Sequence, residues 1–202
     1  MNKILKNFYC IEGIDGSGKT SITQRLKKLC NNNLKYHFTQ EPSKGIIGEF
    51  IRQQLTNFKN PLSQVSLTYL YLADRYEHLY NTKNGIIKIL NKGQTKVITD
   101  RYLFSSIAYQ GELGYKLNKD FPLPEKIFFI KTDPNIAYKR IQDNRRKADL
   151  FEIEVTKLKK INSRYTETLK MFNDLIDIIY LVNSNEKDLE ISAQKIFELI
   201  KF

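Results

Sequence analysis

Five short runs of strand type punctuate the chain. They are residues 8–12, Tyr36 to Gln40, Lys96 to Asp100, Ile127 to Lys131, and Ile178 to Val182. Stretches with helical spacing separate them. After the first run, Ile22, Leu26 and Leu29 fall on one face of a helix through Ser21–Leu29. A second helix holds the segment Tyr69 to Arg75 and extends through about Leu67–Leu79. A third opens at Asp133-Pro134, with Pro134 in its first turn, and carries Ala137 and Arg140. Strands alternating with helices predict an α/β fold, a mostly parallel sheet covered on both faces. Ligands of such sheets sit at the carboxyl ends of the strands. Asn31-Asn32-Asn33 reads as a loop closing the first helix. No repeat, low-complexity linker or domain boundary interrupts the pattern, so residues 1–202 are expected to form a single domain.

The turn after the first strand carries chemistry. Residues 13–20 read Gly13-Ile14-Asp15-Gly16-Ser17-Gly18-Lys19-Thr20, the G-x-x-x-x-G-K-[ST] pattern of a phosphate-binding P-loop. Strand before and helix after are the context the motif needs. The glycines let backbone N–H groups wrap a phosphate chain, and the helix N-terminus favours its negative charge. Lys19 can reach the outer phosphates, and the Thr20 hydroxyl can ligate magnesium. The motif implies a nucleoside triphosphate. No N-K-x-D tetrapeptide marks guanine, and the length suits a small phosphotransferase better than a motor.

The other strand ends must then hold the second substrate. The third strand ends in Asp100-Arg101-Tyr102. Asp100 can organise magnesium or accept a hydrogen bond, and Arg101 offers a planar fork suited to phosphate. A structural Asp–Arg pair at the strand end would read the same way. The second strand ends in Thr39-Gln40-Glu41-Pro42, with Arg52 beyond it. Tyr71 and Arg75 are four apart and share a helix face. Periodicity alone would put Tyr71 in the core and leave Arg75 as a surface charge. His37 and His78 read as ordinary partly exposed residues.

Composition narrows the classes. Apolar residues make up 41%, normal for a globular protein, and no run is long enough to cross a membrane. The amino-terminal residues enter the first strand without an apolar leader, so a cytoplasmic protein is expected. Cys10 and Cys30 are too few for a disulfide framework and are expected as thiols. The net charge of +11 is spread along the chain rather than gathered into a stripe. It reads as a solvated surface that attracts anionic nucleotides, not as a nucleic-acid site.

Taken together, these pieces resemble the thymidylate kinases over essentially the whole chain. The anchors are the P-loop with Asp15 inside it, Glu41-Pro42, Arg52, the Tyr71/Arg75 helix, and the string Asp100-Arg101-Tyr102-Leu103-Phe104-Ser105-Ser106-Ile107-Ala108-Tyr109-Gln110-Gly111. The resemblance implies a three-layer P-loop kinase fold with a five-stranded parallel sheet and a short arginine-containing lid at about residues 141–152. It implies transfer of the γ-phosphoryl group of ATP to dTMP, with Mg2+ as cofactor, in dTTP biosynthesis, by a homodimer. A kinase for another deoxynucleotide or deoxynucleoside is the alternative.

Site roles follow position by position. Gly13 to Thr20 and Arg140 would hold ATP, and Thr20 and Asp100 the metal. Asp15 would meet the 3′-hydroxyl of the acceptor sugar. Tyr71 would stack on thymine where the family usually has Phe, and Arg75 would meet a thymine carbonyl. Ser106 and Gln110 would read the polar edge of the base. Glu41, Arg52 and Arg101 complete the acceptor site, the two arginines holding its phosphate. Lys19, Asp100, Arg101 and the lid residues Arg145 and Arg146 would act on the transferring group. Gly16 stands where one branch of the family has an arginine, so the chain resembles the bacterial-type branch, whose lid supplies that charge.

Departures from the family pattern are Gln40 in place of Arg, Ser43 and Lys44 in place of a glycine pair, and Leu150 where many lids have Arg. The glycine-rich turn expected after Gly111 reads Glu112-Leu113-Gly114-Tyr115.

Overall fold

A computed structural model describes residues 3–31, 35–56, 59–143 and 155–201 of the chain. Five parallel strands form one sheet in the order β2-β3-β1-β4-β5. They are β1 (Ile4–Glu12), β2 (Tyr36–Gln40), β3 (Lys96–Asp100), β4 (Leu123–Lys131) and β5 (Asp177–Val182). The helices are α1 (Lys19–Leu29), α2 (Ile46–Leu55), α3 (Gln64–Tyr80), α4 (Ile86–Leu90), α5 (Leu103–Asn118), α6 (Pro134–Asp143), α7 (Val155–Phe172) and α8 (Glu186–Ile200).

The apolar runs are continuous because both faces of the sheet are buried. In β1, Phe8 and Cys10 point to one core and Tyr9 and Ile11 to the other. In β4, Ile127 and Phe129 alternate in the same way with Phe128 and Ile130. The first core is closed by α5 and α7 through Phe104, Ile107, Leu158, Leu169 and Phe172. The second is closed by α1 and α8 through Ile22, Leu26, Ala193, Ile196 and Ile200. Both cysteines are buried thiols.

All five expected strands are present. β1 and β4 each begin four residues earlier than expected, because Ile4-Leu5 pairs with Leu123-Pro124 beyond an irregularity at Asn7. Asn7 has φ +62° and donates its N–H to Glu125 Oε2 at 2.7 Å, which breaks the periodic signal on both strands. Pro134 begins α6 as expected, with Asp133 accepting from Asn135 N at 2.7 Å. The expected turn after Gly111 is instead a kink inside α5, where Gly111 has φ +61° and the helix resumes. Among the described residues, no helix is long and apolar enough to cross a membrane.

Candidate active site

The carboxyl ends of β1, β2 and β3 meet over two adjoining cavities. One is mostly polar, encloses about 190 Å³ and is lined by Asp15, Gly16, Gly18, Lys19, Thr20, Ser21, Gln40, Glu41, Asp100 and Arg101. The other is mostly apolar and is bounded by Pro42, Leu55, Tyr71, Arg75, Ser106, Tyr109 and Gln110. Asp15, Glu41 and Arg101 line both.

The P-loop folds tightly between β1 and α1. Gly18 is left-handed (φ +90°) and precedes the helix. The Lys19 ammonium donates to Gly13 O at 2.8 Å and Ile14 O at 2.7 Å, which holds it at the centre of the loop. From beneath, Asn183 at the end of β5 donates from Nδ2 to Ser17 O at 2.5 Å, and the Thr132 hydroxyl faces the same carbonyl at 3.3 Å. Gly16 has φ +73°, and a Cβ there would lie 2.3 Å from Ala137 O. Position 16 is therefore closed to a side chain by α6. Arg140 on that helix approaches Gly16 O and Asn183 Oδ1 at 3.5 and 3.4 Å, along the outer flank of the loop.

Thr20 and Asp100 face the same polar cavity. Asp100 Oδ1 is buried and has no hydrogen-bond partner among the described residues. A buried carboxylate oxygen left without a donor fits a cation or its water. One carboxylate and one hydroxyl suit magnesium, which draws its other ligands from water and phosphates.

Arg101 does not pair with the adjacent Asp100. Its ion pair runs to Asp15, with further bonds from Nη1 to Ser105 Oγ at 3.1 Å and Tyr165 Oη at 3.2 Å. Tyr109 donates its hydroxyl to Asp15 Oδ2 at 3.2 Å and lies under the guanidinium, 5.3 Å from ring centroid to Cζ. Glu12, fully buried behind this group, accepts from Tyr102 N, Ser105 Oγ and Tyr165 Oη. Burial pushes its carboxyl above the usual range, against the opposing pull of Arg101 and of these donors.

Arg75 is not a surface charge. It is 1% exposed and donates to Glu41 Oε2 from Nε at 2.9 Å and Nη2 at 2.6 Å. Nη2 also donates to Ser106 Oγ at 3.1 Å, and Nη1 donates to Asn118 Oδ1. The rings of Tyr102 and Phe121 flank it at 5.3 and 6.0 Å. Four of the five guanidinium N–H groups are thus committed, and one on Nη1 remains. Burial alone would raise the Glu41 pKa, but Arg75 and His78 outweigh it and hold the group charged below its ordinary value. His78, expected to be ordinary, is 10% exposed in its side chain and belongs to this network. Its Nδ1 lies 3.3 Å from Glu41 Oε1 and its Nε2 lies 2.7 Å from Thr39 Oγ1. In the neutral ring Nδ1 carries the proton, because a carboxylate only accepts. His37 stays largely exposed, and partial desolvation of its ring, with His78 and Lys92 nearby, lowers its pKa.

The structure brings Tyr71, Arg75, Ser106 and Gln110 around one cavity, with Gln110 Oε1 buried and without a partner among the described residues. Arg52 does not line either cavity. It donates to Pro42 O at 2.9 Å and supports the wall from behind. Ser43 acts as a staple, donating from N and Oγ to Asp74 at 2.6 Å each. Arg145, Arg146 and Leu150, with most of the expected lid, lie outside the described residues. Sequence reasoning missed Glu12, Asn118, Tyr165 and Asn183. The one signal was Glu12, an acid closing an otherwise apolar strand.

A P-loop beside a polar-edged cavity, with a carboxylate and an arginine at the junction, defines a kinase of small nucleotides. The comparisons resolve the class further. The profile of the thymidylate kinase family matches residues 11–194, and the chain belongs to that family. A putative thymidylate kinase of Treponema pallidum is 38% identical over 154 residues, covering 74% of this chain and 73% of that protein. A probable thymidylate kinase of Methanocaldococcus jannaschii is 31% identical over 200 residues, covering 96% and 95%. A thymidylate kinase of Brachyspira hyodysenteriae is 37% identical over 168 residues, covering 78% and 79%.

Proposed function

We propose that this chain phosphorylates dTMP to dTDP with ATP, by direct in-line transfer. The observation that carries the reading is the sharing of Asp15, Glu41 and Arg101 between the two cavities. A donor phosphate chain on the P-loop and an acceptor phosphate on Arg101 would meet at that boundary. Lys19 would neutralise charge developing on the transferring group, with Arg145 and Arg146 assigned to the same task from the lid. Magnesium, held by Thr20 and Asp100, would supply further charge neutralisation. Asp15 would hold the acceptor sugar, and Arg52 would steady the phosphate side through Pro42.

The chemistry of the base cavity supports thymine. Arg75 offers one N–H donor, and Gln110 offers one carbonyl acceptor. The 4-carbonyl and N3–H of thymine are the complement of that pair. Cytosine presents the reverse pattern and would leave buried polar atoms unpaired. Tyr71 supplies the stacking face.

Homodimerisation has a candidate surface. Ile46 and Phe50 of α2 and Val65, Tyr69 and Tyr76 of α3 are large apolar residues left exposed. Two copies pairing through this face would bury it. Sedimentation velocity of the wild type and Tyr69→Asp tests the assignment: a wild-type monomer would refute it.

The decisive test of function is an acceptor panel of dTMP, dUMP, dCMP and thymidine with ATP and Mg2+. Highest kcat/KM is expected for dTMP. Preference for thymidine, which lacks the phosphate, or for dCMP would overturn the reading.

A further inference from the structure

Arg101 stands in the left-handed backbone region (φ +73°), which side chains rarely adopt. Three hydrogen bonds hold that turn. Arg101 N donates to Ile11 O at 3.0 Å, and the Thr99 hydroxyl donates to Arg101 O at 2.8 Å. The third comes from a side chain: Tyr102 N donates to Glu12 Oε1 at 2.7 Å. The turn aims the guanidinium back over the P-loop, towards Asp15 and Gly13 O.

The other oxygen of the same carboxylate sets the side chain. Glu12 Oε2 accepts from Ser105 Oγ at 2.7 Å and from Tyr165 Oη at 3.0 Å. Those two hydroxyls stand 3.1 and 3.2 Å from Arg101 Nη1. Each hydroxyl has a single proton. The two hydroxyls also hydrogen-bond each other at 2.7 Å, so at least one proton goes to Glu12 and the other to Glu12 or to the neighbouring hydroxyl; in either case the lone pairs left over face the guanidinium and accept from it. One fully buried carboxylate thus governs both the backbone turn and the acceptors that fix the arginine head group.

We infer that Glu12 is a positioning residue for Arg101, gripping the turn through Tyr102 N and orienting the Ser105 and Tyr165 hydroxyls against the guanidinium. The inference rests on the reading of Arg101 as the group that holds the acceptor phosphate. It separates the two acids of the loop region: Asp15 faces the cavities, and Glu12 works from behind without entering either.

Steady-state kinetics with dTMP and ATP, on Glu12→Gln, Tyr165→Phe and Arg101→Lys, tests it, with thermal unfolding of each variant alongside. The Gln amide can still accept from Tyr102 N, but its NH2 end donates to the hydroxyls instead of accepting from them. Glu12→Gln is expected to raise the dTMP KM about tenfold while the ATP KM stays within about twofold. Tyr165→Phe, which leaves the backbone grip intact, is expected to raise it by about threefold. A role confined to stability would lower the melting temperature without separating the two KM values. If Glu12→Gln does not fold, Tyr165→Phe decides, and an unchanged dTMP KM there overturns the inference. A raised KM in Arg101→Lys with none in the other two overturns the positioning role alone. An unchanged KM in Arg101→Lys removes the acceptor-phosphate reading, and the inference falls with it.

Discussion

Replacing Arg75 with Met tests the buried ion pair beneath the base cavity. Met keeps an unbranched stem between Tyr102 and Phe121 but removes every donor. Glu41, 6% exposed, would lose two charge-assisted bonds of 2.9 and 2.6 Å, and Ser106 and Asn118 one each. Stranding one member of a buried pair costs about 3–5 kcal/mol, a large share of a typical stability of about 5–15 kcal/mol. The sign with pH follows from Glu41. In the wild type its pKa is depressed, so its contribution is present above the ordinary carboxylate range and is lost only as pH falls through the lower folded value. In Arg75→Met the guanidinium is gone and burial pushes the carboxyl up, so the variant gains stability relative to wild type as pH falls towards about 5. Urea unfolding followed by far-ultraviolet circular dichroism at pH 8 and pH 5 measures both deficits, with equal m-values required. The deficit should be largest at pH 8. The double variant Arg75→Met/Glu41→Gln should recover part of it and flatten its pH dependence. A deficit below about 1 kcal/mol, or one equal at the two pH values, would refute the reasoning.

Lys19→Ala is expected to lower kcat by at least about a hundredfold while unfolding stays cooperative, as the proposed role of the ammonium on the transferring charge requires; undiminished turnover would sink the mechanism. Gly16→Ala places a Cβ 2.3 Å from Ala137 O at a positive φ, and should cost about 1–3 kcal/mol in urea unfolding, whereas a neutral result would contradict the closeness of α6 to the loop. Asp100→Asn should raise the Mg2+ concentration for half-maximal rate by about tenfold or more at fixed ATP, and an unshifted magnesium profile would remove Asp100 from the metal site.

The strands and the motif-bearing ends were legible because each rests on local signals. An apolar run buried on both faces announces a parallel strand, and the P-loop is a contiguous octapeptide. The extensions of β1 and β4 were hidden because Asn7 and Pro124 interrupt the pattern where the pairing itself continues. Arg75 illustrates a different limit. Its helical position placed it beside Tyr71, but its burial depends on Glu41, Ser106 and Asn118, which lie 34, 31 and 43 residues away. Periodicity treats an arginine as a surface residue unless the partners are known. Glu12 and Tyr165 were invisible for the same reason, being joined across 153 residues.

The two halves of the proposed site would read their ligands by different physics, and this predicts where selectivity resides. The P-loop offers backbone N–H groups and a lysine to phosphates, which every nucleoside triphosphate carries alike. Its flanking arginine, Arg140, reaches a loop carbonyl and an asparagine. The base cavity instead presents buried polar atoms on a fixed framework. Gln110 Oε1 lacks a partner among the described residues, and Arg75 retains one N–H while the rest are locked by four hydrogen bonds. A mismatched base there leaves both atoms desolvated, at about 1–3 kcal/mol each. Discrimination should therefore be steep between acceptor bases and shallow between donor triphosphates. The Arg75–Glu41–His78 network, which locks Arg75 in place, is what makes the steep side possible.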